Sequence, residues 1–180
     1  MEEFEQLENE IEKAFISNII KEINIYQVEN QYFELKEDYQ WLIDAGIELV
    51  FENSVFTVCW NSEMECVTCQ MQPFEEMYEP NNYSKLDLLN FRKLKSIYGM
   101  SIEKVEFKAF DVGFIEDYQM NIKYVKMIHE ISVYFEGSLT LQLACVRFDI
   151  SDSFDPINIS YDNAGQILMS LNGFFKIMEN

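Results

Sequence analysis

The chain has 180 residues, with 32 acidic against 13 basic side chains and a formal charge of -19, while 48% of it is hydrophobic and 15% aromatic. That apolar content is too high for a disordered chain, and at this length roughly 70% of the unfolded surface is buried on folding, so neither disulfides nor a metal is required for stability. The charge excludes conventional nucleic-acid binding, which rests on Lys and Arg neutralising phosphates, and it disfavours anionic membranes for the same reason.

Phe4, Leu7, Ile11, Phe15 and Ile19 recur at steps of three and four, which predicts a helix over residues 2–22 with one apolar stripe. At about 100 degrees per residue, Glu2, Glu5 and Glu12 fall well away from that stripe and Glu8 borders it. A solvated helix face accounts for such a row, and acids early in a helix also suit its dipole; the functional alternative is a row of carboxylates shown to a partner. Tyr39, Trp41, Leu42 and Ile43 predict a short helix, which Gly46 ends.

The period then changes. Ile47, Leu49 and Phe51 alternate with Glu48, Val50 and Glu52, Asn53 and Ser54 supply a turn, and Val55 to Trp60 returns as a second strand. A third strand near Glu65 to Met71 extends this hairpin into a meander that Pro73 interrupts. Between Pro73 and Pro80 the segment Phe-Glu-Glu-Met-Tyr-Glu is predicted as an exposed loop, whose Phe74, Met77 and Tyr78 either tuck beneath it or form a contact surface. Ser84 and Asp87 have the spacing of a capping box, so a second helix is expected through Leu88, Phe91, Leu94, Ile97 and Tyr98, ending at Gly99.

The second half has strand chemistry. Val105, Phe107 and Ala109 alternate with charged residues, and Val125 to Phe135 and Leu139 to Phe148 are long β-rich runs joined at Glu136-Gly137-Ser138. Ile157 to Tyr161 and Gln166 to Leu171 are expected to pair around Asp162-Asn-Ala-Gly165, and Phe174, Phe175 and Ile177 are apolar enough to dock. With no repeat or linker, residues 1–180 read as a single α+β domain: an N-terminal helix, an antiparallel β meander, a middle helix and further antiparallel strands.

The chain opens without the basic start and apolar run of a secretory signal and holds no membrane-length apolar stretch, so a cytoplasmic location is expected. Cys66 and Cys69 have the spacing of half a zinc site or of a redox pair, but a second ligand pair is missing and the segment reads as a strand that sets them on opposite faces. With Cys59 and Cys145 they are expected to be reduced structural thiols. His129, the single histidine, shares a strand with Ile131, Val133 and Phe135 and reads as buried and hydrogen-bonded. Asp149, Asp152 and Asp155, with Asp162, have the composition of a hard-cation site without EF-hand spacing, and a turn-forming loop accounts for them. The chain lacks a Gly-x-Ser-x-Gly elbow, a phosphate-binding glycine loop and a His-Glu-x-x-His pair, so no catalytic residue, metal or cofactor is expected.

Charge is unevenly placed: residues 1–80 hold 19 acidic and 3 basic side chains, residues 81–180 hold 13 and 10. Such concentration costs self-repulsion beyond what solubility needs, and a basic partner supplies a reason for it. The helix, the hairpin at 47–61 and the β-rich second half resemble the small acidic immunity proteins that bacteria keep in the cytoplasm against polymorphic or contact-dependent toxins. The resemblance implies a non-enzymatic inhibitor of a cognate toxin, often a nuclease, whose basic cleft it covers. Glu5, Glu8, Glu12, Glu75, Glu76 and Glu79 are the expected contact carboxylates, with Phe74, Tyr78 and Tyr83 as anchors. The competing readings are a small metal-dependent enzyme built on the Asp149 to Asp162 segment or the cysteines, and an acidic regulatory adaptor.

Overall fold

The computed structural model describes residues 2–28, 33–34, 39–61, 65–78, 83–115, 121–152 and 156–179. Its strands are Glu22–Gln27 (β1), Phe33–Glu34 (β2), Gln40–Ile43 (β3), Gly46–Val50 (β4), Val55–Asn61 (β5), Cys66–Gln70 (β6), Ser84–Lys85 (β7), Ile102–Ile115 (β8), Ile122–Phe135 (β9), Thr140–Ile150 (β10), Pro156–Tyr161 (β11) and Gln166–Leu171 (β12). Two α-helices, Glu2–Phe15 (α1) and Phe74–Met77 (α2), and a 3-10 helix at Leu88–Ile97 complete the described elements. Among the described residues strands far outnumber helix, so the chain is α+β-like in having an N-terminal helix before antiparallel sheets, with the sheets dominant.

One sheet has the order β6-β5-β4-β1-β7 and the other β2-β3-β12-β10-β9-β8, with β11 also paired to β10; every strand ladder is antiparallel. The sheets face each other across one core, to which the first gives Ile23, Ile25, Leu49 and Val58 and the second gives Trp41, Val133, Leu143 and Met169. Helix α1 seals this core through Ile11 and Phe15, whose ring meets Phe51 and Phe56 at centroid distances of 4.8 and 5.1 Å. The outer faces are apolar too. Phe74, Met77 and Tyr78 cover Tyr26, Ala45 and Cys59 on the first sheet, and the C-terminal residues Phe175 and Ile177 cover Leu42, Val146 and Leu168 on the second.

Five expectations are corrected. The first helix stops at Phe15 rather than running to residue 22, because Ser17 turns left-handed at φ 63° and the Asn18 side chain donates to the Ala14 carbonyl; Ile19 instead bridges Ser101. Residues 40–43 are a strand, not a helix: sheet faces covered on both sides give a continuous apolar run with no alternation to reveal it. Ser84 does not cap a helix but pairs with Gln27 in β7, and the middle helix is a 3-10 segment with a kink at Phe91. The segment after Pro73 is helical and buried, as described below. Strands β11 and β12 do not pair with each other; Val146 of β10 lies opposite Tyr161 on one side and Gln166 on the other. The hairpin β4–β5, the strands β8 to β10 and the left-handed stop at Gly99 (φ 76°) are present as read.

A bulge divides the long β8–β9 ribbon. Lys108 is opposite Glu130 and Ala109 opposite Ile128, so His129 is an extra residue. The insertion lets Ile128 rejoin the core row of Ile131, Val133 and Phe135, which His129 itself leaves. Beyond the bulge β10 diverges to pair with β11, and among the described residues the distal halves of β8 and β9 pair only with each other, forming an arm.

Because Phe15 is fully buried and touches two further aromatics, Phe15→Ala should lower the unfolding free energy by about 3–5 kcal/mol, read by urea denaturation.

Candidate functional site

On α1, Glu5 and Glu12 are exposed and Glu8 is half-buried, and among the described residues none of the three enters an ion pair. Glu8 and Glu12 face a surface groove of about 540 Å³ whose other wall is the proximal part of the β8–β9 ribbon, with Glu106, Phe107, Lys108 and Glu130. Four carboxylates therefore line a groove to which one lysine contributes. Glu106 accepts from the Lys104 ammonium and the Tyr134 hydroxyl, which hold its carboxyl below the usual range, and the Glu106 carboxylate in turn pushes the Tyr134 phenol up to about 12. Glu130 accepts from Ser132 and from Tyr161, while Lys108 reaches Glu179 at 2.6 Å.

The residues after Pro73 lie on another layer, against β4 and β5 on the outer face of the first sheet. Phe74 is 0% exposed, Tyr78 is buried and Tyr83 half-buried, so the expected exposed loop is corrected and Phe74 and Tyr78 already have partners in their own chain. Phe74 stacks on Tyr26 at 3.9 Å and on Tyr78 at 5.0 Å, and Tyr83 stands edge-on to all three rings. Two features fix this. Gly46 has no Cβ, which would lie 2.5 Å from the Phe74 ring, so the ring rests directly on the strand. The buried Glu48 carboxylate accepts from the Phe74 N–H at the start of α2 (2.9 Å) and from Asn24 Nδ2 (2.7 Å). Burial and this neighbouring carboxylate raise the Tyr26 phenol. Glu75 and Glu76 remain exposed on the helix; Glu79 lies outside the described residues. The structure thus groups Glu8 and Glu12 with Glu106 and Glu130, which the sequence did not single out, leaves Glu5 on another side of α1 beside Gln6, Asn9, Glu10 and Lys13, and sets Glu75 and Glu76 on a different layer. The strand pairing that brings Glu106 and Glu130 to one face is the signal that was missed.

Cys69 faces the main core and Cys66 does not, as the strand period requires, and all four cysteines are free and buried. Burial pushes the Cys59 and Cys69 thiols up to about 12. Among the described residues no group of three His, Cys, Asp or Glu side chains is arranged to hold a metal ion. Asp149 accepts from Asn158 and Asp162 from the Ala164 N–H, the bonds of a turn; Asp155 lies outside the described residues. His129 is buried, its Nδ1–H donating to the Met127 carbonyl at 3.0 Å and its ring edge-on to Phe110. Burial lowers its pKa from the ordinary 6.5. No helix among the described residues is long and apolar enough to cross a membrane.

Compared with known proteins, the chain matches no family model, no curated sequence and no solved structure.

Two outcomes are expected. Glu48→Gln replaces an acceptor facing two donors by a group with its own N–H, and should cost about 1–3 kcal/mol in denaturant unfolding. Below pH 6.5 the unfolded chain takes up a proton on His129 that the folded chain resists, so this contribution is complete above 6.5 and lost as pH falls; His129→Gln should flatten the stability profile between about pH 7 and 5 relative to the parent.

Proposed function

We propose that the chain is a non-enzymatic binding protein that neutralises a basic partner, and that a toxin domain with a cationic cleft, such as a nuclease, is the partner class. The observation that carries this reading is the groove beside α1, where Glu8 and Glu12 meet Glu106 and Glu130, against Lys108 in the lining and Lys104 bound to Glu106. Glu8 and Glu12, which enter no ion pair among the described residues, cost little further desolvation at a rim and create a field that draws a cationic surface in. Phe107, half-buried in the groove, is the apolar contact there, in place of the sealed Phe74 and Tyr78. Glu75 and Glu76 act, if the partner is large enough to reach them, as a second rim on the adjoining layer. Location in the cytoplasm belongs to the same proposal, since an inhibitor must sit where its toxin would act.

The test needs a cationic partner domain, sought by co-purification among the products of the genes that flank this one. Glu8→Lys combined with Glu12→Lys should slow association about tenfold at low salt and weaken its salt dependence in stopped-flow measurements, whereas Glu75→Lys with Glu76→Lys should do less. Association rates unchanged by the α1 pair would overturn the reading.

A further inference from the structure

The opposite flank of α1 borders a different groove, of about 570 Å³, between the end of β6 and the distal half of β9. Leu7, Met71, Val125 and Met127 supply apolar lining, Lys123 and Lys126 stand on the β9 side, and among the described residues Glu10 of α1 is the one acidic side chain of the lining. Both walls are strand edges. β6 ends its sheet, and among the described residues its outer edge bonds only through the Val67 N–H, to the Asn163 carbonyl. β9 pairs with β8 along its whole length but with β10 only from Glu130 onward, so the edge from Ile122 to Met127 pairs with no described strand. The distal end of the ribbon exposes Ile115, Ile122 and Tyr124 at 62%, 56% and 67%.

We propose that this seam takes an extended, acidic segment of a partner protein as an added strand along the free edge of β9. An extended chain is the occupant because a row of outward N–H and C=O groups at strand spacing is matched only by another strand. The sign follows from the lysines. Among the described residues neither Lys123 nor Lys126 has a carboxylate partner, and Lys126 rests on the Phe4 ring at 4.5 Å, in a chain whose net charge is -19. Lysines on an edge deter indiscriminate strand pairing, and a segment carrying carboxylates is the kind they admit. A second copy is the poorer occupant, since antiparallel pairing of this edge with itself would set the lysines of both copies side by side. The exposed Ile122 and Tyr124 would be covered by the apolar residues of the added strand. This inference is independent of the basic-partner reading, which uses the Glu8 and Glu12 flank.

The test uses fluorescein-labelled octapeptides of alternating valine and glutamate, the valine and lysine counterpart, and the glutamate peptide N-methylated at alternate residues. With the full chain, fluorescence anisotropy should show saturable binding of the glutamate peptide, about tenfold weaker binding of the lysine peptide, and loss of binding on N-methylation. Lys123→Glu with Lys126→Glu should reverse the charge preference, and hydrogen exchange should slow at residues 122–127. The proposal is overturned if the glutamate peptide fails to bind up to about 1 mM, if N-methylation is without effect, or if protection falls elsewhere. It is equally overturned if sedimentation shows a dimer of the chain alone with this edge protected.

Discussion

Each sheet of this chain is apolar on both faces, and that constraint dictates most of what surrounds it. Strands such as Trp41-Leu42-Ile43 and Ile167-Leu168-Met169 send side chains alternately into the shared core and into an outer cluster. An exposed apolar face of that size would invite association, so each needs a cover made from the chain itself. Helix α1 closes the middle, Phe74, Met77, Tyr78 and Tyr83 close one outside, and the C-terminal residues close the other. The aromatic residues near Phe74 serve this enclosure, which is why the carboxylates of α1 and not the rings of α2 are the more available contact groups.

What could be read in the sequence was what local chemistry decides. The hairpin around Asn53 and Ser54, the long ribbon, the stop at Gly99 and the opposed faces of Cys66 and Cys69 each follow from a few neighbouring residues. The misreadings share a different cause. Trp41 to Ile43 lacks alternation because both faces are covered, Ser84 is claimed by the edge of β1 before it can cap a helix, and Phe74 is drawn down by a glycine and a carboxylate on a strand 26 or more residues away in sequence. None of these is visible in a window of a dozen residues. The expected pairing of β11 with β12 fails for a related reason: each strand pairs with a different edge of β10. The candidate site was half legible. Its α1 carboxylates follow from helical period, but Glu106 and Glu130 join them only through a strand register and the docking of the helix.

Helix α1 also sorts charge. On one flank it meets the acidic groove with Glu106 and Glu130, and on the other it meets Lys123 and Lys126. Lys21 pairs with Glu52 and Lys85 with Glu22, away from both grooves, and the two flanks differ in sign although the protein as a whole is strongly anionic. A single helix thereby separates two surfaces with opposite electrostatic preferences.

The extra residue at His129 makes the length of β9 a matter of parity. On β8, Val105, Phe107 and Ala109 occupy one face of the ribbon, and Phe110, Val112 and Phe114 the other, so the pattern of apolar residues changes sides close to where the bulge lies. Removing one residue at the bulge would exchange the two faces of everything distal to it on β9, carrying Lys126 away from Phe4 and Met127 out toward the lysine's former place. Removing two would leave the faces as they are and merely shorten the ribbon. Odd and even changes in length at this point are therefore physically different events, and the fold tolerates the even ones.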